Sequence, residues 1–170
     1  MIIKQKVIEQ LKNRDEKAFE YVYTQTKKGV YIIIFNVIKD HDLTQDLMQD
    51  VYLKMLERIH QYQSKTNFYN WLLMIAKNLA IDTYRREKKL VHYDEVDYDQ
   101  TLSAQDDTPD QKDEFNRLLS VLTDEEKEVV LLRIVDEMKH KDIAKLVDKP
   151  VGTVTWLYQQ ALDKMKKVRG

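Results

Sequence analysis

The stretch KDIAKLVDKPVGTVTWLYQQALDKMKK, residues 141–167, holds two amphipathic patterns separated by a break at Asp148–Gly152. Before the break, Ile143 and Leu146 line a short helix over Lys141–Val147. After it, Val154, Leu157, Tyr158, Ala161, Leu162 and Met165 recur at helical steps and predict a longer one. A short helix, a tight turn and a longer helix that opens on small polar residues form a helix-turn-helix. The second helix of such a unit enters the major groove, where its first turn offers backbone N–H groups to phosphate and short side chains to base edges. An ordinary helical hairpin shares the period. Lys145 and Lys149 flank the turn, however, and the outward face carries Thr153, Thr155, Trp156, Gln159, Gln160 and Lys164 instead of Glu/Lys pairs.

Working upstream, Thr123 followed by Glu126 is a capping box that opens another helix. Its body, Val129–Val135, is almost continuously apolar and is expected to be buried. Phe115, Leu118, Leu119 and Leu122 line one more helix ahead of it. The segment before that, from His92 to Glu114, carries nine acids against Lys112, a local net charge of −8. Within it, His92–Lys112 is poor in aliphatic residues, so it cannot bury enough apolar area to offset the entropy of ordering it, and it is expected to be a flexible acidic linker.

The N-terminal half is also helical in pattern. Asp15 can cap a helix carrying Phe19, Val22 and Tyr23, and Gly29 is expected to interrupt or bend it before the apolar run Val30–Ile38. A second pattern begins near Leu43, with Leu47, Val51 and Met55 inward and Asp46, Gln49, Asp50, Lys54 and Glu57 outward. A third runs from Phe68 through Leu72, Ile75 and Leu79; Asn78, Asp82, Arg85 and Arg86 share its polar side. From Ser64 to Lys89, six Lys/Arg stand against Asp82 and Glu87, a local +4. Aromatic and basic residues interleave over Tyr62–Arg86, a pattern suited to stacking unpaired bases while cations follow phosphates. Helical spacing assigns Phe68 and Trp71 to the core, which makes Ser64–Asn67, with Lys65 and Asn67, the better seat for an extruded base.

Only three Gly and two Pro interrupt 170 residues, too few turns for a sheet-rich fold. The expected fold is all-α: two small helical domains, 1–90 and 113–170, joined by an acidic linker over 91–112. Without Cys there is no disulfide, thiolate metal site or cysteine nucleophile. His41-Asp42 evokes a metal-dependent phosphohydrolase, but no second ligand pair stands at useful spacing and no Gly-rich phosphate loop exists. The expectation is a protein that is not an enzyme, with no cofactor, no metal and no small-molecule substrate. The start lacks a signal-peptide apolar region, and Val30–Ile38 falls far short of the ~20 residues of a membrane span. The chain is therefore read as cytoplasmic.

DLTQDLMQDVYLKMLERI (42–59) and NWLLMIAKNLAIDTYRR (70–86) resemble region 2 of the extracytoplasmic-function (ECF) group of bacterial sigma-70 family sigma factors. LTDEEKEVVLLRIVDEMKHKDIAKLVDKPVGTVTWLYQQALDKMK (122–166) resembles their region 4. The resemblance implies a dissociable subunit that binds core RNA polymerase, recognises the −10 and −35 promoter elements and promotes DNA melting. It implies polymerase contacts at Asp46, Gln49, Asp50 and Lys54. It places −10 DNA at Lys65, Asn67, Asn78, Asp82, Arg85 and Arg86, and −35 DNA at Lys149, Thr153, Thr155, Trp156, Gln159 and Gln160. An anti-sigma factor is a further implied partner. The family's last helix usually carries several Arg/Lys after VGTV; here Thr155–Gln160 stand instead, so fewer phosphate contacts and a shallower salt dependence are expected. Trp156 suits a thymine methyl, a sugar or a protein surface. A stand-alone helix-turn-helix regulator leaves Leu43–Arg86 without purpose, and a pure protein-interaction module leaves the basic face unused.

Overall fold

The computed structural model describes residues 1–87 and 109–170; most of the stretch expected to be a flexible acidic linker lies outside the described residues. Every regular element among the described residues is helical. The chain divides into two compact units, Met1–Asp94 and Glu95–Gly170.

In the first unit, α1 (Gln5–Lys12) buries Ile8 and Leu11. The chain turns through Arg14, whose φ of 60° lies in the left-handed region, and enters α2 (Glu16–Ile38) at Asp15. The Asp15 carboxylate accepts a hydrogen bond from Ala18 N at 2.8 Å, satisfying one of the first turn's orphan N–H groups. α2 then runs unbroken through Gly29, and the expected interruption there is absent. Burial explains this. Gly29 and every residue from Val30 to Phe35 are buried, and burying each large apolar side chain contributes roughly 1.5–3 kcal/mol, against about 1 kcal/mol for glycine in a helix.

A helix that is apolar all round must be enclosed, and α3 (His41–Arg58) and α4 (Phe68–Glu87) both pack on α2. Two residues join α2 to α3. Lys39, at a left-handed φ of 57°, donates its N–H to Phe35 O at 2.8 Å, and Asp40 Oδ1 accepts from Leu43 N at 2.7 Å. The buried Thr26 hydroxyl is satisfied by Val22 O at 2.7 Å and by the Tyr52 hydroxyl at 2.8 Å. A 3-10 turn, Ile59–Gln61, and a loop carry the chain into α4.

The second unit holds α5 (Pro109–Ser120), α6 (Asp124–Ile134), α7 (His140–Val147) and α8 (Val151–Arg169). α5 begins inside the stretch expected to be linker, so residues 109–112 are its first turn. Proline suits the first helical position because its φ is already helical and its missing N–H is not needed there. The capping box forms as the sequence predicts: Thr123 Oγ1 accepts from Glu126 N at 3.3 Å and Glu126 Oε2 accepts from Thr123 N at 2.9 Å. Val129–Leu132 are buried, but the expected burial does not extend to Val135. The helix ends at Ile134, which is 48% exposed, and the chain folds back so that Met138 N bonds to Leu132 O.

The turn between α7 and α8 is Asp148–Pro150, shorter than expected, and Gly152 lies within α8. Asp148 adopts φ 55°, Lys149 N–H closes on Ala144 O at 3.0 Å, and Pro150 leads into the helix. α8 buries Val154, Leu157 and Ala161 against α6 and α7. Lys164, expected on the outward side, turns its ammonium to Glu126 instead, at 2.8 Å. A carboxylate that is almost wholly buried needs a counter-charge, and the lysine stem is long enough to deliver one.

Candidate nucleic-acid interface

In the first unit, the polar side of α4 and the C-terminal half of α3 face one another across a cleft. About 530 Å³ of open space is lined by Lys54 and Arg58 from α3 and by Trp71, Asn78, Asp82 and Arg85 from α4. The α4 register produces this: positions 71, 78, 82 and 85 fall on one side of a 3.6-residue period. Lys54, expected beside Asp46, Gln49 and Asp50, is half-buried in this cleft and joins the α4 residues. Arg86 lies outside it, with Nη2 3.4 Å from Thr83 Oγ1.

The loop ahead of α4 is held at both ends. The Tyr62 hydroxyl donates to Thr66 O, and Thr66 Oγ1 donates to Gln63 O at 2.9 Å, leaving Lys65 exposed. Asn67 caps α4, its Oδ1 accepting from Asn70 N at 3.1 Å while its Nδ2 reaches Met1 O at 3.3 Å. Beneath the loop, the ring of Tyr62 meets Phe68 edge-on at 5.3 Å and Trp71 at 5.3 Å. Phe68 is core, as its spacing predicts. Trp71 is only partly so, because it supports the loop and also lines the cleft.

Asp46, Gln49 and Asp50 are exposed on α3. Gln49 borders a separate apolar groove of about 340 Å³, formed with Phe19, Tyr23, Tyr52, Leu53 and Leu56. Neither Arg58 nor this groove follows from the helical period alone. Signals were present: Arg58 follows Lys54 by one helical turn, and Leu53 is an apolar residue standing out of phase with the buried stripe.

On the second unit, Thr155, Trp156 and Gln159 are exposed on α8, while Thr153 and Gln160 are half-buried at its flanks. Lys149 does not stand free. Its Nζ lies 2.8 Å from Glu125 Oε1, and hydrogen bonding and attraction to that carboxylate hold its pKa above the usual lysine value.

Comparison with known proteins gives this arrangement a context. The sigma-70 region 2 family matches residues 22–90, and the sigma-70 region 4 family matches residues 112–165, together well over half of the chain. The chain belongs to the sigma-70 family of sigma factors. Among its relatives, ECF RNA polymerase sigma factor SigX of Bacillus subtilis is 25% identical over 140 residues, covering 76% of this chain and 72% of that one. The ECF RNA polymerase sigma-E factor of Haemophilus influenzae is 26% identical over 164 residues, covering 88% and 86%. This sigma factor shares its fold with sigma factor RpoE of Bartonella quintana, solved in complex with the anti-sigma factor NepR: TM-score 0.66, 19% identity, 89% of this chain and 96% of that one. It also shares the fold of CnrH, solved with the cytosolic domain of CnrY, at TM-score 0.63 and 16% identity over 95% and 94% of the two chains. As a sigma factor it serves transcription initiation.

Proposed function

We propose that this sigma factor binds core RNA polymerase, recognises −10 and −35 promoter elements and promotes DNA melting. The observation that carries the reading is the α3–α4 cleft. Lys54, Arg58 and Arg85 converge there with Asn78, Asp82 and Trp71, and none of the three cations forms an ion pair among the described residues. Cations without protein partners attract phosphates, polar side chains discriminate base edges, and an aromatic ring offers an unstacked base a surface to stack on.

In this reading residues 1–90 bind polymerase and the −10 element. Asp46, Gln49 and Asp50 face the polymerase, and Lys54 stands where that surface meets the DNA site. Lys65, Asn67, Asn78, Asp82, Arg85 and Arg86 serve the melted −10 strand. Residues 113–170 carry the −35 contacts, at Lys149, Thr153, Thr155, Trp156, Gln159 and Gln160, and 91–112 tether the two. The protein works in the cytoplasm as a regulator and performs no chemistry of its own. Among the described residues no helix is long and apolar enough to cross a membrane. An anti-sigma protein is a further proposed partner, as NepR is for RpoE of Bartonella quintana.

Run-off transcription on a promoter library, with purified bacterial core polymerase and with or without the protein, tests the reading. Specific starts that depend on the protein support it, and the selected sequences define both elements. If core polymerase, including that of the source organism, neither binds the protein nor gains a specific start, the reading falls.

A further inference from the structure

The outward face of α8 offers fewer hydrogen-bond donors than its sequence does. Thr155 has a single hydroxyl proton, and its Oγ1 has two partners within the protein: Val151 O at 3.0 Å and His140 Nδ1 at 3.1 Å. When the proton goes to Val151 O, His140 must donate from Nδ1; when it goes to His140, it is equally committed. In both cases Thr155 has no proton for a base edge, and its methyl is the group left to be read. The His140 ring packs edge-on against Tyr158 at 5.1 Å, and its Nε2 is buried with no hydrogen-bond partner among the described residues, so Nδ1 is the nitrogen that meets Thr155.

The neighbouring donor is partly committed: Gln159 Nε2 gives one of its two N–H groups to Asp163 Oδ1 at 3.2 Å. Beside Thr155 two large apolar side chains are exposed, Trp156 at 58% and Val151 at 47%. Gly152 keeps open space around its backbone. Lys139, Lys141 and Lys145, on and beside α7, are exposed and in no ion pair among the described residues. An apolar centre beside uncommitted cations matches a groove whose floor carries methyl groups and whose walls carry phosphates. In the major groove only thymine presents a methyl, at C5.

Resting on the reading of residues 113–170 as the −35 contact, we propose that α8 recognises thymine C5-methyl groups through the methyl of Thr155 and the ring of Trp156. His140 is the positioning residue that keeps the Thr155 hydroxyl turned inward.

The test uses holoenzyme, formed from the full chain and core polymerase, on the promoter selected by run-off transcription. Each thymine of the −35 element is replaced in turn by deoxyuridine, which lacks only the C5 methyl. Affinity is expected to fall roughly fourfold at one or two positions, the effect of losing one buried methyl, and to stay level elsewhere. Thr155→Val keeps the methyl and should keep the thymine-over-uracil ratio. Thr155→Ser keeps the hydroxyl and should bring the ratio toward one, and His140→Ala should lower it while α8 stays helical by circular dichroism. Equal affinity for thymine and uracil duplexes overturns the proposal, as does a ratio retained by Ser and lost by Val. A loss of core-polymerase affinity in Trp156→Ala with no change on uracil DNA gives the patch to a protein and also overturns it. If the holoenzyme footprint omits the −35 duplex altogether, the underlying reading falls, and the proposal with it; a normal footprint that is indifferent to uracil removes the proposal alone.

Discussion

Lys164 Nζ lies 2.9 Å from Glu126 Oε1 and 2.8 Å from Oε2, although the two residues stand 38 positions apart. The pair ties the start of α6 to the last third of α8 and so fixes the frame in which the helix-turn-helix is held. Glu126 also closes the capping box with Thr123. Burial pushes the Glu126 carboxyl pKa up, but hydrogen bonds from Lys164 and Thr123 and the lysine charge outweigh it, and the net value lies below 4.5. A folded pKa below the unfolded one stabilises the protein above about pH 4.5, and that contribution is lost as pH falls through the lowered value. Hydrogen exchange in α6 and α8 should therefore quicken below that range. Lys164→Met leaves the buried carboxylate short of partners and should destabilise the unit by about 1–3 kcal/mol at neutral pH, with a smaller acid-dependent loss. Matching exchange in the variant and the parent at pH 7 would refute the coupling.

Asn67 has two separable roles. Its Oδ1 caps α4 through Asn70 N, while its amide nitrogen reaches, among the described residues, only the carbonyl of Met1. Asn67→Ala removes both functions and should lower stability by about 1 kcal/mol. Asn67→Ser retains a capping oxygen without the amide, so its stability should match the parent within about 0.5 kcal/mol. Open-complex formation, followed by permanganate reactivity of melted thymines, should still drop in the serine variant. If serine melts promoters as well as asparagine does, the residue is a cap alone.

Arg85 lines the cleft and forms no ion pair among the described residues, whereas Arg86 leans on Thr83 at 3.4 Å. Arg85→Ala should consequently reduce promoter opening more than Arg86→Ala, and the double variant should abolish most of it. Core-polymerase affinity should not change. For each lost phosphate contact on single-stranded DNA, the slope of log affinity against log salt should shallow by about 0.7. Unchanged opening in the double variant would remove the −10 assignment from this face.

The parts of the fold legible in the sequence are those set by neighbours along the chain. Asp15 and the Thr123–Glu126 box act within three residues, and the stripes at 43–59 and 68–86 follow from helical period alone. Gly29 misleads because local propensity disfavours it in a helix, while enclosure by α3 and α4 decides the outcome. Lys164 and Lys54 mislead for a related reason. A helical wheel places a lysine on the outward side, but its stem can carry the charge to a buried carboxylate or into a cleft formed with another helix. Arg58 was hidden because its significance depends on α4 lying opposite. The commitment of the Thr155 hydroxyl depends on His140, fifteen positions away, and no period reports it.

The groove beside Gln49 yields the clearest test of polymerase docking. Leu53 is 59% exposed there, next to Tyr23, Tyr52 and Leu56, and the exposed carboxylates of Asp46 and Asp50 lie on the same helix. An apolar side chain with this exposure contributes little to folding, so Leu53→Asp should alter stability by no more than about 0.5 kcal/mol. A partner that seats an apolar side chain against Leu53 would instead lose that contact and meet a third carboxylate beside Asp46 and Asp50. Core-polymerase affinity, measured by fluorescence anisotropy of the labelled full chain, should fall about tenfold, since well-packed apolar anchors typically account for more than 1 kcal/mol each in an interface. Because Leu53 does not line the α3–α4 cleft, holoenzyme assembled at saturating concentration should open promoters as the parent does. Parental core affinity in Leu53→Asp would place the polymerase contact elsewhere on the first unit.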